Sequence, residues 1–302
     1  MLGALREKLT KGDTPLLTRS VGSYGRIHAE EVQREIKFEV PGHQLAVVAK
    51  RDAAQHPFLE PLFQWGKAVR YFEFGKGLGH MNLGIPVKEL VFPLNEKDTT
   101  QVLPVFDKGL RSLGTPFKEA IMADMASLGY PIEDITLRKS PRIQLLAPVP
   151  LDVVGVAVKE SDLACYTDQI NMSAGMFRAL SVIVQVNYLT MSGVGTCILV
   201  DDVGEGLDFD RSCKLIELLR SKSKQSAVQL IMSTNDRFVM NKVPLEEWCY
   251  LIRNGHRVRV LNYHNAREEF ERFKRTGLNN FDLLATNYLE QLTTNGQARN
   301  IR

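Results

Sequence analysis

Apolar positions between residues 173 and 191 recur at helical spacing. Met176, Leu180, Ile183, Val184 and Val186 fall on one side, and Ser173 precedes them as a capping residue. The pattern predicts one helix from Ser173 to Met191. Cys197-Ile198-Leu199-Val200 then forms an unbroken apolar run that stops at Asp201-Asp202, as a strand buried on both faces does. Leu215, Leu218 and Leu219 make the apolar stripe of a helix from Asp208 to about Ser221, and Val228–Met232 predicts a second buried strand. Strand, helix and strand within about 35 residues fit one right-handed βαβ unit.

The rest of the chain is patterned less sharply. Residues 1–30 are mixed and polar and read as an irregular start. Ile36–Val40 and Leu45–Ala49 are strand-like runs joined by Pro41-Gly42, which predicts a hairpin. His56-Pro57 opens a helix with Phe58, Leu62, Trp65 and Val69 at helical spacing. A short strand at Val69–Phe74 leads into the glycine-rich run Gly75-Lys76-Gly77-Leu78-Gly79-His80. Residues 99–129 read as two helices parted by Gly114-Thr115-Pro116. Strands follow over 133–158, and the prolines at 141, 148 and 150 make some of them edge strands. Residues 247–262 predict a hairpin turning at Asn254-Gly255. Helices at about 265–275 and 280–292 close the chain before a polar tail at 293–302.

Composition adds little to this picture. With 44% hydrophobic and 24% charged residues among 302, the chain is an ordinary globular one. A net charge of +3 falls far short of a dedicated nucleic-acid binder. The four cysteines, Cys165, Cys197, Cys213 and Cys249, make no CxxC pair, and Cys197 and Cys213 sit in apolar patterns as buried thiols. No apolar run approaches the ~18 residues a membrane span needs. A cytoplasmic protein with reduced cysteines and no membrane contact is expected.

The candidate chemistry lies at the end of the first buried strand. Ligands of open α/β sheets bind at such strand ends. Asp201 there can hold Mg²⁺ through water, and Asp202 can orient or deprotonate an attacking water. Two solvated acids capping a strand is the plainer reading. Ser173 caps its helix, and Ala174-Gly175 leaves room for backbone N–H groups to approach a phosphate, helped by the helix dipole. Taken by itself, Ser173 is better read as a plain N-cap. Arg178 reads either as a phosphate contact or as the partner of an acid. Arg253, His256, Arg257 and Arg259, with Arg272, Lys274 and Arg275, form a basic cluster that suits a weak phosphate-backbone contact. Glu268, Glu269 and Glu271 nearby favour a solvated face instead.

Asp202 is followed by Val203-Gly204-Glu205-Gly206-Leu207-Asp208. With CILVDD before it, this stretch resembles the Walker B and D-loop segment of ABC-type ATPases. Asn171-Met172-Ser173-Ala174-Gly175-Met176 resembles the family's signature motif at a helix start. Leu230-Ile231-Met232-Ser233-Thr234-Asn235-Asp236 is similar to its switch segment, where many members carry histidine in place of Asn235. The pieces stand in the family's order and spacing over residues 165–240. More loosely, Lys50-Arg51-Asp52 to Trp65 and Thr276-Gly277-Leu278-Asn279-Asn280-Phe281-Asp282 resemble the AAA-family ATPases grouped with OLD nucleases and SMC-type repair ATPases, several of which serve in phage defence.

The resemblance implies a P-loop NTPase-like α/β fold: a mainly parallel sheet flanked by helices, with an antiparallel β portion and a helical insertion. It divides the chain into a β-rich part of an ATPase head at 1–95, the insertion with strands at 96–160, a lobe carrying the motifs at 161–292, and a flexible tail. It implies ATP and Mg²⁺ as cofactors. It assigns Asp201 to the metal, Asp202 to the water, Asp208 to cross-talk between subunits, Asn235 to the γ-phosphate, and Ser173 with Gly175 to a partner's ATP. An ATP-dependent homodimer and an effector protein or nuclease are the implied partners. Asp202 departs from the family's glutamate by one methylene, a displacement of about an ångström that is costly to rate. No GxxxxGK[ST] loop occurs, and Gly75-Lys76-Gly77 lacks its Ser/Thr and a following helix. The chain is therefore expected to be truncated, internally initiated or complemented by another polypeptide, and to bind ATP weakly by itself. The alternative is a non-catalytic interaction module that keeps the half-site as a scaffold.

Overall fold

The computed structural model describes residues 6–20, 23–85, 97–140, 153–193 and 195–291, with 92, 94 and 95. The predicted tail and the prolines at 141, 148 and 150 lie outside the described residues. The chain divides into two compact units, Met1–Val69 with Gly195–Cys197, and Arg70–Val194 with Ile198–Arg302.

The first unit corrects the expectation of an irregular start. Strands β1 (Arg6–Lys11), β2 (Thr14–Ser20), β3 (Gly25–Ala29) and β4 (Arg34–Phe38) form an antiparallel meander in the order β1-β2-β3-β4. Its inward positions Leu17, Ile27 and Phe38 pack with Val40, Ala46 and Leu59. Charged residues fill most other positions of β1, so its period-2 pattern is faint. The expected strand at Leu45–Ala49 is instead one helical turn, α1 (Ala46–Ala49). The Glu7 carboxylate accepts its first N–H, from Ala46, at 2.8 Å and holds Arg19 at 3.0 Å. A five-residue apolar run suits strand or helix, and the distant Glu7 decides between them here. Helix α2 (Leu59–Ala68) follows Pro57 as predicted, although Leu62 and Trp65 face outward.

The second unit is built around one buried helix. Its elements are β5 (Arg70–Glu73), α3 (Val102–Leu113), α4 (Thr115–Ser127), β6 (Ile132–Lys139), β7 (Val154–Glu160), β8 (Thr167–Asp168), α5 (Ala174–Met191), β9 (Thr196–Asp201), α6 (Phe209–Lys224), β10 (Val228–Met232), α7 (Arg237–Lys242), β11 (Cys249–Asn254), β12 (Arg257–Asn262), α8 (Arg267–Lys274) and α9 (Asn280–Ala285). The first two residues of β9 are grouped with the first unit. Helix α5 matches its predicted span, but it is buried on nearly every side, including Ser181, Gln185 and Asn187. Such a helix must satisfy its polar groups internally. Asn187 donates to Asp124 at 2.6 Å, and Lys222 reaches both Asp124 and Asn187 at 2.8 Å, tying α4, α5 and α6 together. Phe72, Phe106, Phe117, Phe177, Ile198 and Leu215 fill the core around them.

The fold is α/β with mixed sheets. Strand β5 pairs parallel with β9, from Arg70↔Ile198 to Glu73↔Asp201, and β10 lies on the other side of β9. The expected antiparallel β portion is present, and the parallel pairing is confined to the short sheet of β5 and β9 among the pairings described. The β6-β7-β8 sheet and the β11-β12 hairpin are antiparallel, and a two-residue turn joins the hairpin strands. Tyr250 and Leu261 of that hairpin pack with Phe270, Phe273 and Leu283 in a separate small core. Among the described residues no helix is long and apolar enough to cross a membrane.

Candidate functional site

The three neighbouring strands β5, β9 and β10 bring three side chains to one place. The apolar run of β9 ends at Asp201, whose Oδ2 accepts a hydrogen bond from the Tyr71 hydroxyl of β5 at 3.0 Å. Its Oδ1 accepts one from the hydroxyl of Ser233, the residue just past β10. Ser233 in turn accepts the backbone N–H of Asp202 at 3.0 Å. The Ser233 hydroxyl, then the Tyr71 hydroxyl, then the Asp202 N–H hold the Asp201 carboxyl below its ordinary range. The same hydrogen bond to Asp201 pushes the Tyr71 phenol upward. A carboxylate offers about four acceptor positions. Two hydroxyl donors leave Asp201 able to accept from a metal-bound water.

Asp202 is exposed, and its backbone takes a left-handed conformation, φ +53°. Aspartate tolerates this better than most residues. The chain reverses there: Glu205 N–H donates to Asp202 at 3.1 Å and Leu207 N–H to Gly204 at 3.0 Å. Buried Val203 and a hydrogen bond from Ser212 to the Gly204 carbonyl, 3.1 Å, pin this loop to the core and to α6.

Ser173 stands at the N-cap of α5, its Oγ accepting the Met176 N–H at 3.2 Å. Gly175 lies against the loop that follows Asp202. A Cβ there would sit 2.9 Å from the Gly206 carbonyl and 3.1 Å from Leu207 Cδ2. Both glycine-containing segments are therefore shaped to each other. Arg178 is half-buried and, among the described residues, pairs with no acid. Its guanidinium donates to the Glu205 carbonyl and to the Gly75 carbonyl, each at 2.9 Å. It thereby ties the loop after β9 to the loop after β5. The run at Gly75–His80 spends its backbone on turns: Lys76 N–H donates to Glu73 and His80 N–H to Gly77. The buried Gln169 amide binds the carbonyls of Gly79, His80 and Asn82. This loop presents carbonyls to the protein rather than a cradle of N–H groups to a phosphate.

Asp208 caps α6. Its two oxygens accept from the backbone N–H of Arg211 at 3.0 Å and from that residue's guanidinium. The backbone bond is the largest cause of its lowered carboxyl pKa. Asn235 is exposed, two residues past Ser233 and beside Asp236, which caps α7. Asp201 and Asp202 thus meet through Ser233, and Gly175 meets the loop between Asp202 and Asp208. Among the described residues the side chains of Ser173 and Asp208 hydrogen-bond within their own helix starts, and none of Ser173, Asp208 and Asn235 shares a hydrogen bond with the acid pair. Sequence reasoning gave no role to Tyr71 or Ser233. The local signals were a hydroxyl one residue beyond an apolar strand and an aromatic within the short strand predicted at Val69–Phe74. Among the described residues no three His, Cys, Asp or Glu side chains gather as a metal cage. One or two carboxylates suffice for Mg²⁺ only when phosphate oxygens and water supply the remaining positions.

No family model and no curated protein matches the chain. Several solved structures are similar to part of it. One, from work on ATP-driven dimerization and DNA-stimulated activation of SMC ATPases, is 14% identical; the match covers 56% of this chain and 97% of that one, with a TM-score of 0.36. An Smc head domain from Pyrococcus yayanosii is 19% identical over 55% of this chain and 30% of its own, with a TM-score of 0.36. An SmcHead bound to the C-winged helix domain of ScpA is 15% identical over 63% and 54%, with a TM-score of 0.41. At these values the likeness fixes neither a family nor a function.

Proposed function

We propose that this chain supplies the acid-pair half of an ABC-type ATP site and works as part of an ATP-dependent dimer coupled to an effector protein or nuclease. One observation carries the reading: an ionised carboxylate, Asp201, fixed at a strand end by Ser233 and Tyr71, with a second acid beside it. Asp201 holds Mg²⁺ through its water shell, and Asp202 orients the attacking water. Ser173 and Gly175 close on a partner's triphosphate, Asn235 donates to the γ-phosphate, and Asp208 links the subunits. The phosphate loop that grips the triphosphate comes from a segment outside these 302 residues. Phage defence and DNA repair are processes such an engine serves.

A second reading, a non-catalytic scaffold, draws on the same contacts. Both Asp201 oxygens already accept hydroxyl groups of the chain itself. Mn²⁺ electron paramagnetic resonance, with Mn²⁺ in place of Mg²⁺ and ATP present, tests the first reading. Asp201→Asn is expected to release Mn²⁺ that the unaltered chain retains, and Asp202→Asn to retain it. Equal retention by all three proteins rejects Asp201 as the metal residue. Retention without any phosphate release in the assembled protein favours the scaffold.

A further inference from the structure

We propose that the outer edge of β11 binds an extended, acidic segment of another polypeptide, which pairs with it as an added strand. The direction of the backbone follows from Asn265. Its side chain donates to the Val260 carbonyl at 3.0 Å and accepts the Asn262 N–H at 2.8 Å, so both backbone groups point away from β11. Residues directly opposite in an antiparallel pair share one type, exchanging hydrogen bonds or both pointing outward. Val260 lies opposite Leu251 and Asn262 opposite Cys249. Cys249 and Leu251, and by alternation Arg253, therefore present their N–H and C=O groups outward. Asn265 closes the free edge of β12. Among the described residues nothing outside the hairpin bonds to the main chain of Cys249, Leu251 or Arg253.

The side chains say what kind of strand fits. One face of the hairpin is fixed by Tyr250 and Leu261 in the small core. The other carries Leu251, Val258 and Val260, which are 63%, 60% and 43% exposed. A bare strand edge with exposed aliphatic residues is a template for pairing. All the charge on residues 249–262 is basic: Arg253, Arg257 and Arg259 are exposed, His256 joins them at the turn, and no Asp or Glu occurs. A partner strand that alternates aliphatic residues, on the face of Leu251, with acidic residues, on the face of Arg257 and Arg259, matches both features; Arg253 shares the face of Leu251. Nucleic acid fits less well, because the hairpin exposes no aromatic ring for a base to stack on. A second copy would set one all-basic hairpin against another.

The β11 edge shares no residue with the acid pair, and its pairing is independent of the proposed ATP chemistry. The test is fluorescence anisotropy of a labelled ten-residue peptide alternating valine and glutamate, titrated with the full chain. Binding is expected, with amide-exchange protection at Cys249, Leu251 and Arg253. Arg253→Glu with Arg257→Glu should weaken it at least about tenfold by charge reversal. Leu251→Pro should do the same, because an outward N–H is dispensable to the hairpin but not to an incoming strand. The hairpin's dispersion in NMR spectra reports that both variants fold. No peptide binding by the unaltered chain overturns the proposal. Equal binding of a backbone N-methylated peptide reduces it to charge capture, displacement by oligothymidine assigns the face to nucleic acid, and self-association abolished by Leu251→Pro assigns it to a second copy.

Discussion

The hydroxyl of Ser233 joins two consecutive acids, donating to the Asp201 carboxylate and accepting the Asp202 N–H at 3.0 Å. It is the largest cause of the lowered Asp201 pKa. Ser233→Ala should raise that pKa, and Tyr71→Phe should raise it less. A carboxyl depressed in the fold adds stability above its unfolded pKa and loses it as pH falls through the folded value. The variants should therefore lose less stability on acidification. Carbon-detected NMR titration reads the pKa directly, and an Asp201 titration unmoved by Ser233→Ala would show that the contact is not formed in solution.

Asp202 carries φ +53°, so its replacements should rank by backbone tolerance rather than by charge alone. Asp202→Gly and Asp202→Asn should unfold in urea near the parent. Asp202→Ala should cost about 1–2 kcal/mol, the price of a left-handed conformation for an ordinary L-residue. An alanine variant as stable as the glycine variant would contradict the left-handed turn. Asn is accordingly the substitution for removing this carboxylate in functional work.

Gly175 and Ser173 begin the same helix but should fail differently. Ser173→Ala removes a cap and should cost about 1 kcal/mol. Gly175→Ala drives a methyl group to 2.9 Å from the Gly206 carbonyl, and overpacking of this kind costs about 1–3 kcal/mol. Amide exchange should quicken in residues 203–207 of the Gly175 variant and stay unchanged there in the Ser173 variant. The reverse pattern would separate the helix start from that loop.

Glu247 is held down to about 2, chiefly by hydrogen bonds from Arg220 and then by Lys224. Its unfolded value lies near 4.5. The pair therefore stabilises the fold fully above about pH 4.5 and loses that contribution as pH falls toward 2. Thermal melts of Glu247→Gln should show a shallower loss across that window than the parent. Parallel acid limbs would remove Glu247 from the account.

Some elements were legible because their causes lie within a few residues. The α5 pattern with its Ser173 cap, the apolar β9 run, the Gly114-Thr115-Pro116 break between α3 and α4, and the hairpin of residues 247–262 all follow from local periodicity and turn chemistry, although the hairpin turns at Gly255-His256, one residue later than the expected Asn254-Gly255. The N-terminal meander was missed for the opposite reason. Lys8, Lys11 and Arg26 blur the alternation of β1 and β3, and only assembly of the sheet shows Leu17 and Ile27 pointing inward.

Sequence by itself determined the order of the strands and helices around the acid pair and the acids' place at a strand end. Tertiary structure alone decided what holds those acids. Tyr71 reaches Asp201 across 130 positions, Ser233 reaches it across 32, and Arg178 reaches Gly75 across 103. Periodicity and capping act over a helical turn, whereas these contacts depend on which strands become neighbours, and that choice is made by burial of the whole core at once.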